Sequence, residues 1–425
     1  MTGYSLATLR SVLRVDEIIT ADSPDYLESS QTWAAHKHLK PSLVIRPTST
    51  EALSKALAYL YNTDVDFAIY GQGFSSASAK DVLVNTSAFN DFHFNAQAEV
   101  VTVGAGQNWS EVYRKLAEAA PEYGIVGART PCVGVAGTIV CGGYSWLSSE
   151  HGCISDPNNM LDAKVVKYDG SAIWASEEPE LLWALRGGGG GFGGKHYLYR
   201  LSLLWIALIA TFDVVVTQVK LRVFPYPQEI WAGPILIPRD RLQEVAEGIQ
   251  GFLSGPVDPK ITMFLYVVNG RLLQSIGTDS DMLVIHAFDA NGEEHGRSCF
   301  KWALDIPGAI DQSKITTLSG VAKLQGKQQF QQLRTDSNVS YHRESLTRVL
   351  STDKAGMVKG SMKQFWQPLL LKDITKEHVI NAVQWFEGIR KIDTDLGDCT
   401  YLIFELLSSV SASNYQNPPL QNTLG

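Results

Sequence analysis

Two glycine-rich stretches hold the residues in this chain best suited to chemistry. Pro179 to Gly193 reads Pro-Glu-Leu-Leu-Trp-Ala-Leu-Arg, then five glycines, then Phe192 and Gly193. Upstream lies Tyr70-Gly71-Gln72-Gly73-Phe74-Ser75-Ser76. Glycine has no Cβ, so it accepts φ > 0 and lets its backbone approach a bound group closely. Successive amides in such a loop converge on one anion, as in phosphate-cradling nests. A flexible linker has a similar composition, but both stretches here sit between apolar segments of packed character. Gly189 to His196 nearly fits a Walker A loop, yet His196 follows Lys195 where Ser or Thr must hold Mg²⁺, and no strand precedes it. A nucleoside triphosphatase is therefore excluded. Gly104-Ala105-Gly106 opens like a dinucleotide fingerprint, but Trp109 stands at the third glycine, which argues against a Rossmann NAD site.

These loops need elements to hold them. Thr48-Ser49-Thr50-Glu51 predicts a capping box, followed by Leu53, Ala56, Leu57 and Leu60 at helical spacing. A short strand over Asp66–Tyr70 then delivers the first glycine loop, where open α/β sheets tend to hold ligands. Strands follow at Val82–Asn85 and Glu99–Val103, and Asn108 with Glu111 caps a helix running to Ala119. Gly134, Gly137, Gly142, Gly143 and Gly152, with Tyr144 and Trp146 among them, suit a backbone curling around a flat ligand; a tightly packed turn region gives the same pattern. Asp169-Gly170 predicts a hairpin turn between Val165–Tyr168 and Ala172–Ala175. After Pro225 and Pro227 the pattern changes to strands at Ile230–Ile237, Ile261–Val268 and Met282–Phe288, with helices at Leu242–Leu253 and His378–Ile392. That predicts a separate α+β domain with an antiparallel sheet.

A chain of 425 residues exceeds the usual single core, so two domains are expected. Hydrophobic residues make up 45%, which is a globular composition. A formal charge of -8 without a Lys/Arg cluster argues against nucleic acid as a partner. Cys132, Cys141, Cys153, Cys299 and Cys399 form no CxxC pair, so neither zinc nor a disulfide framework is indicated, and no metal is expected. Met1 to Thr20 has no continuous apolar region or small-residue cleavage site, so a cytoplasmic protein without a secretory signal is expected. Leu201 to Val216 is interrupted by Thr211 and Asp213, and no membrane partner is expected.

With both loops in view, the chain resembles the vanillyl-alcohol oxidase / p-cresol methylhydroxylase (PCMH-type) flavoproteins, and within them the berberine-bridge-enzyme-like oxidoreductases. The resemblance is carried by Arg46-Pro47-Thr48, by Tyr70–Ser76, by Thr130-Pro131-Cys132-Val133-Gly134-Val135-Ala136-Gly137, by Gly142-Gly143, by Gly152 with Asp156, and by Arg186 through Gly193. It covers roughly half the chain, and the order and spacing together are specific where each motif alone is weak.

The resemblance implies an α+β fold. A PCMH-type FAD-binding domain of two α+β subdomains spans 37–227 after a lead-in over 1–36, and a substrate domain with an antiparallel sheet and covering helices spans 228–425. It implies FAD as cofactor, bound through Tyr70, Gly71, Gln72, Gly73, Phe74, Ser75, Ser76, Thr130, Val135, Gly137, Thr138, Gly142, Gly143, Gly152 and Val215. The activity implied is hydride removal from an alcohol- or amine-bearing carbon of a small organic substrate onto flavin N5, with oxygen or another acceptor as the electron sink. No residue matches the family's base. Many relatives attach the flavin covalently through a histidine in the first loop and some through a cysteine; here these positions hold Phe74 and Thr130, so the flavin is expected to be non-covalent. Cys132, two residues beyond Thr130, would be about 7 Å away in an extended strand.

Two departures stand out. Gly194–Asp213 intervenes before Val214-Val215-Val216-Thr217, where the family continues directly into a strand; of three readings, a lid or membrane-contacting insertion, a family-specific helix and translated intron sequence, the last is favoured. Ser408 to Gly425 is polar and unpatterned, without the family's closing segment. A flavin-free remnant keeping the fold is therefore the alternative to an active oxidoreductase.

Overall fold

The computed structural model describes residues 6–188, 214–268, 280–323, 374–392 and 402–406. The expected insertion 194–213, the glycines from Gly189 to Gly193 and the segment after Ser408 lie outside them. The chain divides into two units: one comprises Met1–Ser145, Cys153–Pro225 and Lys354–Trp366, the other Trp146–Gly152, Tyr226–Asp353 and Gln367–Gly425.

The first unit carries two sheets. In one, β1 (Ile18–Thr20), β2 (Leu43–Ile45), β4 (Val82–Asn85) and β3 (Phe67–Tyr70) lie in the order β1-β2-β4-β3, with β2, β4 and β3 parallel. Strands covered on both faces read as continuous apolar runs, and Leu43-Val44-Ile45 and Val82-Leu83-Val84 are buried throughout. The other sheet is antiparallel, in the order β5 (Phe92–Asn95), β6 (Val100–Gly104), β10 (Val214–Pro225), β8 (Met160–Lys167) and β9 (Ala172–Trp174), with β7 (Tyr123–Ile125) also on β10. The hairpin expected at Asp169-Gly170 is the β8–β9 connection, and Gly170 takes φ 84 there.

The helix Thr50–Tyr61 links these sheets. Leu53, Ala56, Leu57 and Leu60 join Phe67, Val82 and Val84 of the first sheet and Val166 and Val215 of the second in one apolar cluster. Its N-cap differs from expectation. Ser49 is the capping residue, accepting from the Ala52 amide, while Glu51 pairs with Lys55. Thr48 is not the cap because its hydroxyl and amide both donate to the Glu17 carboxylate, at 2.5 and 2.6 Å. Glu17 is buried and also accepts from the Arg14 amide. Burial alone raises its pKa, but the hydrogen bonds from Thr48 and Arg14 outweigh it and the net shift is downward.

A depressed carboxyl pKa stabilises the fold above the unfolded value, and that contribution disappears as pH falls through the folded value. Glu17→Gln is therefore expected to cost about 1–3 kcal/mol at neutral pH, the range for charge-assisted hydrogen bonds to a buried group. The difference from the parent should shrink as pH drops below about 4.5. Urea unfolding at pH 7 and near pH 4 measures it; a pH-independent difference contradicts the assignment.

The second unit is built on one antiparallel sheet. Its order is β14 (Ile310–Asp311), β11 (Ile230–Pro238), β13 (Met282–Asp289), β12 (Ile261–Val268) and β16 (Leu402–Leu406), with β15 (Lys314–Thr316) also on β11. The helices Leu242–Leu253 and Lys376–Ile392 cover it, and Val379, Val383 and Phe386 share the buried face that the sequence predicts. Trp146–Gly152 belongs to this unit: Trp146 stacks on Phe288 and meets Phe264 edge-on, and its carbonyl accepts the Thr262 hydroxyl at 3.0 Å.

Candidate cofactor site

The loop after β3 is held from outside and leaves its own amides uncommitted. The Tyr70 hydroxyl donates to the Gln31 carbonyl at 2.8 Å, and burial pushes its pKa well above the ordinary value. Trp33 N and Ser76 N both donate to the Gly73 carbonyl, and Ser76 Oγ accepts from Ala34 N at 3.0 Å. Gly73 has φ 78, and a Cβ there would sit 2.7 Å from the Tyr70 hydroxyl oxygen, so only glycine closes this turn. Ser76 also takes φ 57. Phe74 stacks on Trp33 with ring centroids 4.9 Å apart. Through all of this, the amides of Gly71, Gln72, Gly73, Phe74 and Ser75 donate to no acceptor among the described residues.

Gly106 and Gly134 meet this loop at Gln72. Gln72 Nε2 donates to the Gly106 carbonyl at 2.7 Å, and Gly134 lies so near Gln72 that a Cβ there would be 3.0 Å from Cγ. Val135 N donates to Gln107 O, while Trp109 N and Ser110 N reach Val133 and Pro131. Gly134 caps the short helix Val135–Val140, Thr138 Oγ1 donates back to the Gly134 carbonyl at 2.6 Å, and Gly137 is exposed with no atom within 4 Å of its Cβ position among the described residues.

Gly142 and Gly143 follow at φ 95 and 65, each accepting from the chain's return at Ser155 N and Ile154 N. Gly187, at φ 90, comes up against Gly142 and Ser155. Asp156 receives the Cys153 amide at 2.7 Å, and burial raises its pKa.

The structure thus sets Gly134, which begins the helix carrying Val135, Gly137 and Thr138, against Gln72 of the Tyr70–Ser76 loop, and sets Gly142 beside Gly187. Val215 is buried in the apolar cluster opposite Val166, its side chain part of the core. Gly152, at φ 81, ends the helix Ser148–His151 in the second unit. Cys132 is in a turn closed by Val133 N donating to Thr130 O at 3.4 Å, so the extended geometry expected between Thr130 and Cys132 is not present; the thiol is buried.

Sequence reasoning passed over the neighbours Glu150 and His151, whose only signal was adjacency. Their side chains approach to 3.7 Å; burial raises the Glu150 pKa, and burial with Lys260 lowers His151 to about 4.

Residues 41–176 match the family described as FAD binding domain. The chain carries an FAD-binding domain. An FAD-dependent monooxygenase of Penicillium roqueforti is 32% identical over 171 residues, which is 38% of this chain and 33% of that protein. The fold is that of 6-hydroxy-D-nicotine oxidase from Arthrobacter nicotinovorans, with TM-score 0.61 at 19% identity over 73% of this chain and 64% of that one. Berberine bridge enzyme from Eschscholzia californica gives TM-score 0.60 at 18% identity over 76% and 63% of the two chains. The chain spans between about a third and a half of the length of the curated relatives it matches. The Tyr70–Ser76 loop and Gly134, which packs on Gln72, both fall inside residues 41–176. Among the described residues, no helix is long and apolar enough to cross a membrane.

Proposed function

We propose that this protein is an FAD-dependent oxidoreductase that removes a hydride from an alcohol- or amine-bearing carbon of a small organic substrate, with oxygen or another acceptor taking the electrons. The observation that carries the reading is the run of five uncommitted amides from Gly71 to Ser75, inside the segment that matches an FAD binding domain. A dinucleotide diphosphate needs several backbone donors and no bulk beside them. The residues present fit that need: the Cβ position of Gly137 has no atom within 4 Å among the described residues, and that of Gly71 meets only Thr86 Oγ1, at 3.9 Å.

FAD supplies the two-electron chemistry when bound, and the protein supplies binding, orientation and exclusion of water. Gly71 through Ser75 would hold the diphosphate; Gln72 fastens their loop to Gly106, and Thr138 ties the Val135–Val140 helix to Gly134. Purified protein should be yellow, or turn so on addition of FAD. A colourless protein that binds no added FAD overturns the reading.

The flavin is held without a covalent bond. Phe74 and Thr130 occupy the two attachment positions, and neither side chain can form the bond. Acid precipitation of the holoprotein should release all the flavin into the supernatant. Colour left in the washed pellet, and lost in Cys132→Ser, transfers the attachment to the buried thiol of the Thr130–Val133 turn.

A further inference from the structure

The second unit contains a cluster that the oxidoreductase reading does not use. Strand β13 ends at Asp289, whose side chain is wholly buried. One of its oxygens accepts the Asn291 amide at 2.8 Å, and the other lies 2.7 Å from His295 Nδ1. No lysine or arginine forms an ion pair with it among the described residues. Its one charged partner among the described residues is the partly exposed His295 ring, and a divalent cation would compensate the buried carboxylate in the same place. The chain turns through Gly292, at φ 101, into the helix Glu293–Cys299. His295 and Cys299 stand four residues apart on this helix and share a face. Cys299 Sγ is 3.9 Å from each ring nitrogen of His295. The three donor groups lie within 4.8 Å of one another.

The helix that presents them is firmly seated. Gly296 packs so closely on Trp231 that a Cβ would be 2.3 Å from the indole, and Arg297 bridges Glu293 and Asp311. A second carboxylate, Asp258, is tied to the same turn by Asn291 Nδ2 at 3.1 Å.

We propose that Asp289, His295 and Cys299 form a binding site for one divalent transition-metal ion of the zinc class, with water completing four-coordination. The donor set is sulfur, nitrogen and oxygen, which suits Zn²⁺ or Co²⁺ and disfavours the hard cations Ca²⁺ and Mg²⁺. Zinc bonds of about 2.3 Å to sulfur and 2.0–2.1 Å to nitrogen place those atoms roughly 3.6 Å apart at a tetrahedral angle, against the 3.9 Å present here. The carboxylate–imidazole separation of 2.7 Å would open to roughly 3.4 Å as the metal replaces the proton between them.

Charge and protons balance. The thiol proton and the proton shared by His295 and Asp289 leave to solvent, and thiolate and carboxylate neutralise the 2+ ion around a neutral imidazole. The spacing of the cysteines alone gives no metal motif; the signal is one cysteine and one histidine on a helix, completed by a strand-end aspartate.

The test uses the full chain as purified, titrated with Co²⁺. One equivalent should bind, with tetrahedral ligand-field absorption at wavelengths beyond the flavin envelope, and added Zn²⁺ should displace it. Cys299→Ser and His295→Ala should each weaken binding at least tenfold and remove the band with unchanged circular dichroism, since both side chains are partly exposed. Cys141→Ser and Cys153→Ser, which remove the exposed thiols of the first unit, should leave the titration unaltered. The proposal is overturned if the parent shows no saturable binding, or if the cobalt spectrum survives in Cys299→Ser.

Discussion

Replacing Gly106 by alanine is expected to destabilise the first unit by at least about 3 kcal/mol, and to weaken FAD binding as well. An added Cβ would lie 2.1 Å from the Thr86 carbonyl oxygen, 2.8 Å from Ser87 Cα and 2.9 Å from the Thr86 carbonyl carbon. All three atoms are main chain, so no side chain can rotate away. The turn they belong to is fixed by Thr86 N donating to Tyr70 O and Phe89 N donating to Thr86 O, and Gly106 N itself donates to Phe89 O. Relief requires moving backbone that carries β4 and β6, which places this substitution in the severe tail of overpacking and lost hydrogen bonds. The Gly106 carbonyl also accepts from Gln72, so displacement passes directly to the five-amide loop. The measurement is the urea midpoint at constant m-value, with FAD titration beside it. Gly251→Ala is the control: that glycine lies in the helix Leu242–Leu253 with no atom within 4 Å of its Cβ position among the described residues, and alanine there should gain about 0.5–1 kcal/mol. A Gly106→Ala protein within about 0.5 kcal/mol of the parent contradicts the packing argument.

Gly106 also shows what a sequence tells and withholds. Gly104-Ala105-Gly106 has the opening spacing of a nucleotide fingerprint, and the mismatch at Trp109 argues against that site. The spacing cannot say that Gly104 and Gly106 are glycines because main chain at Phe89 and Thr86 passes within contact of them. Such crossings join residues distant along the chain and leave no local pattern. The local devices were legible: the Asn108–Glu111 capping box, the Asp169-Gly170 turn and the Val379-Val383-Phe386 face depend on neighbours within a few residues. Thr48 misled because a partner thirty-one residues away, Glu17, takes its hydroxyl. The same limit hides Trp146–Gly152, whose place in the second unit is decided by Phe264 and Phe288. Asp289 joins His295 and Cys299 only because β13 ends beside their helix. The candidate cofactor loops were visible in outline because glycine is required there by type. Which amides stay uncommitted is a property of the folded chain alone.

Gly137→Leu should separate binding from folding, because its two effects are expected to have opposite signs. Gly137 sits inside the helix Val135–Val140, and its Cβ position has no atom within 4 Å among the described residues. Glycine within a helix is unfavourable by roughly 0.8–1.0 kcal/mol relative to alanine, and leucine is a comparably good helix former. With no neighbour to collide with, the substitution should raise the stability of the apoprotein by about 0.5–1 kcal/mol. If the free space beside Gly137 is where the cofactor lies, the same isobutyl group obstructs it. FAD affinity should then fall at least tenfold, equivalent to about 1.4 kcal/mol. Quenching of flavin fluorescence gives the affinity and urea unfolding of the apoprotein gives the stability. A variant that is stabilised and binds FAD as tightly as the parent removes Gly137 from the site, whatever the rest of the loop does. One that loses both stability and binding shows instead that the helix cannot accept the side chain. Only gained stability with lost affinity places the cofactor against this face of the helix, where glycine is kept at the expense of helix stability because the ligand needs the room.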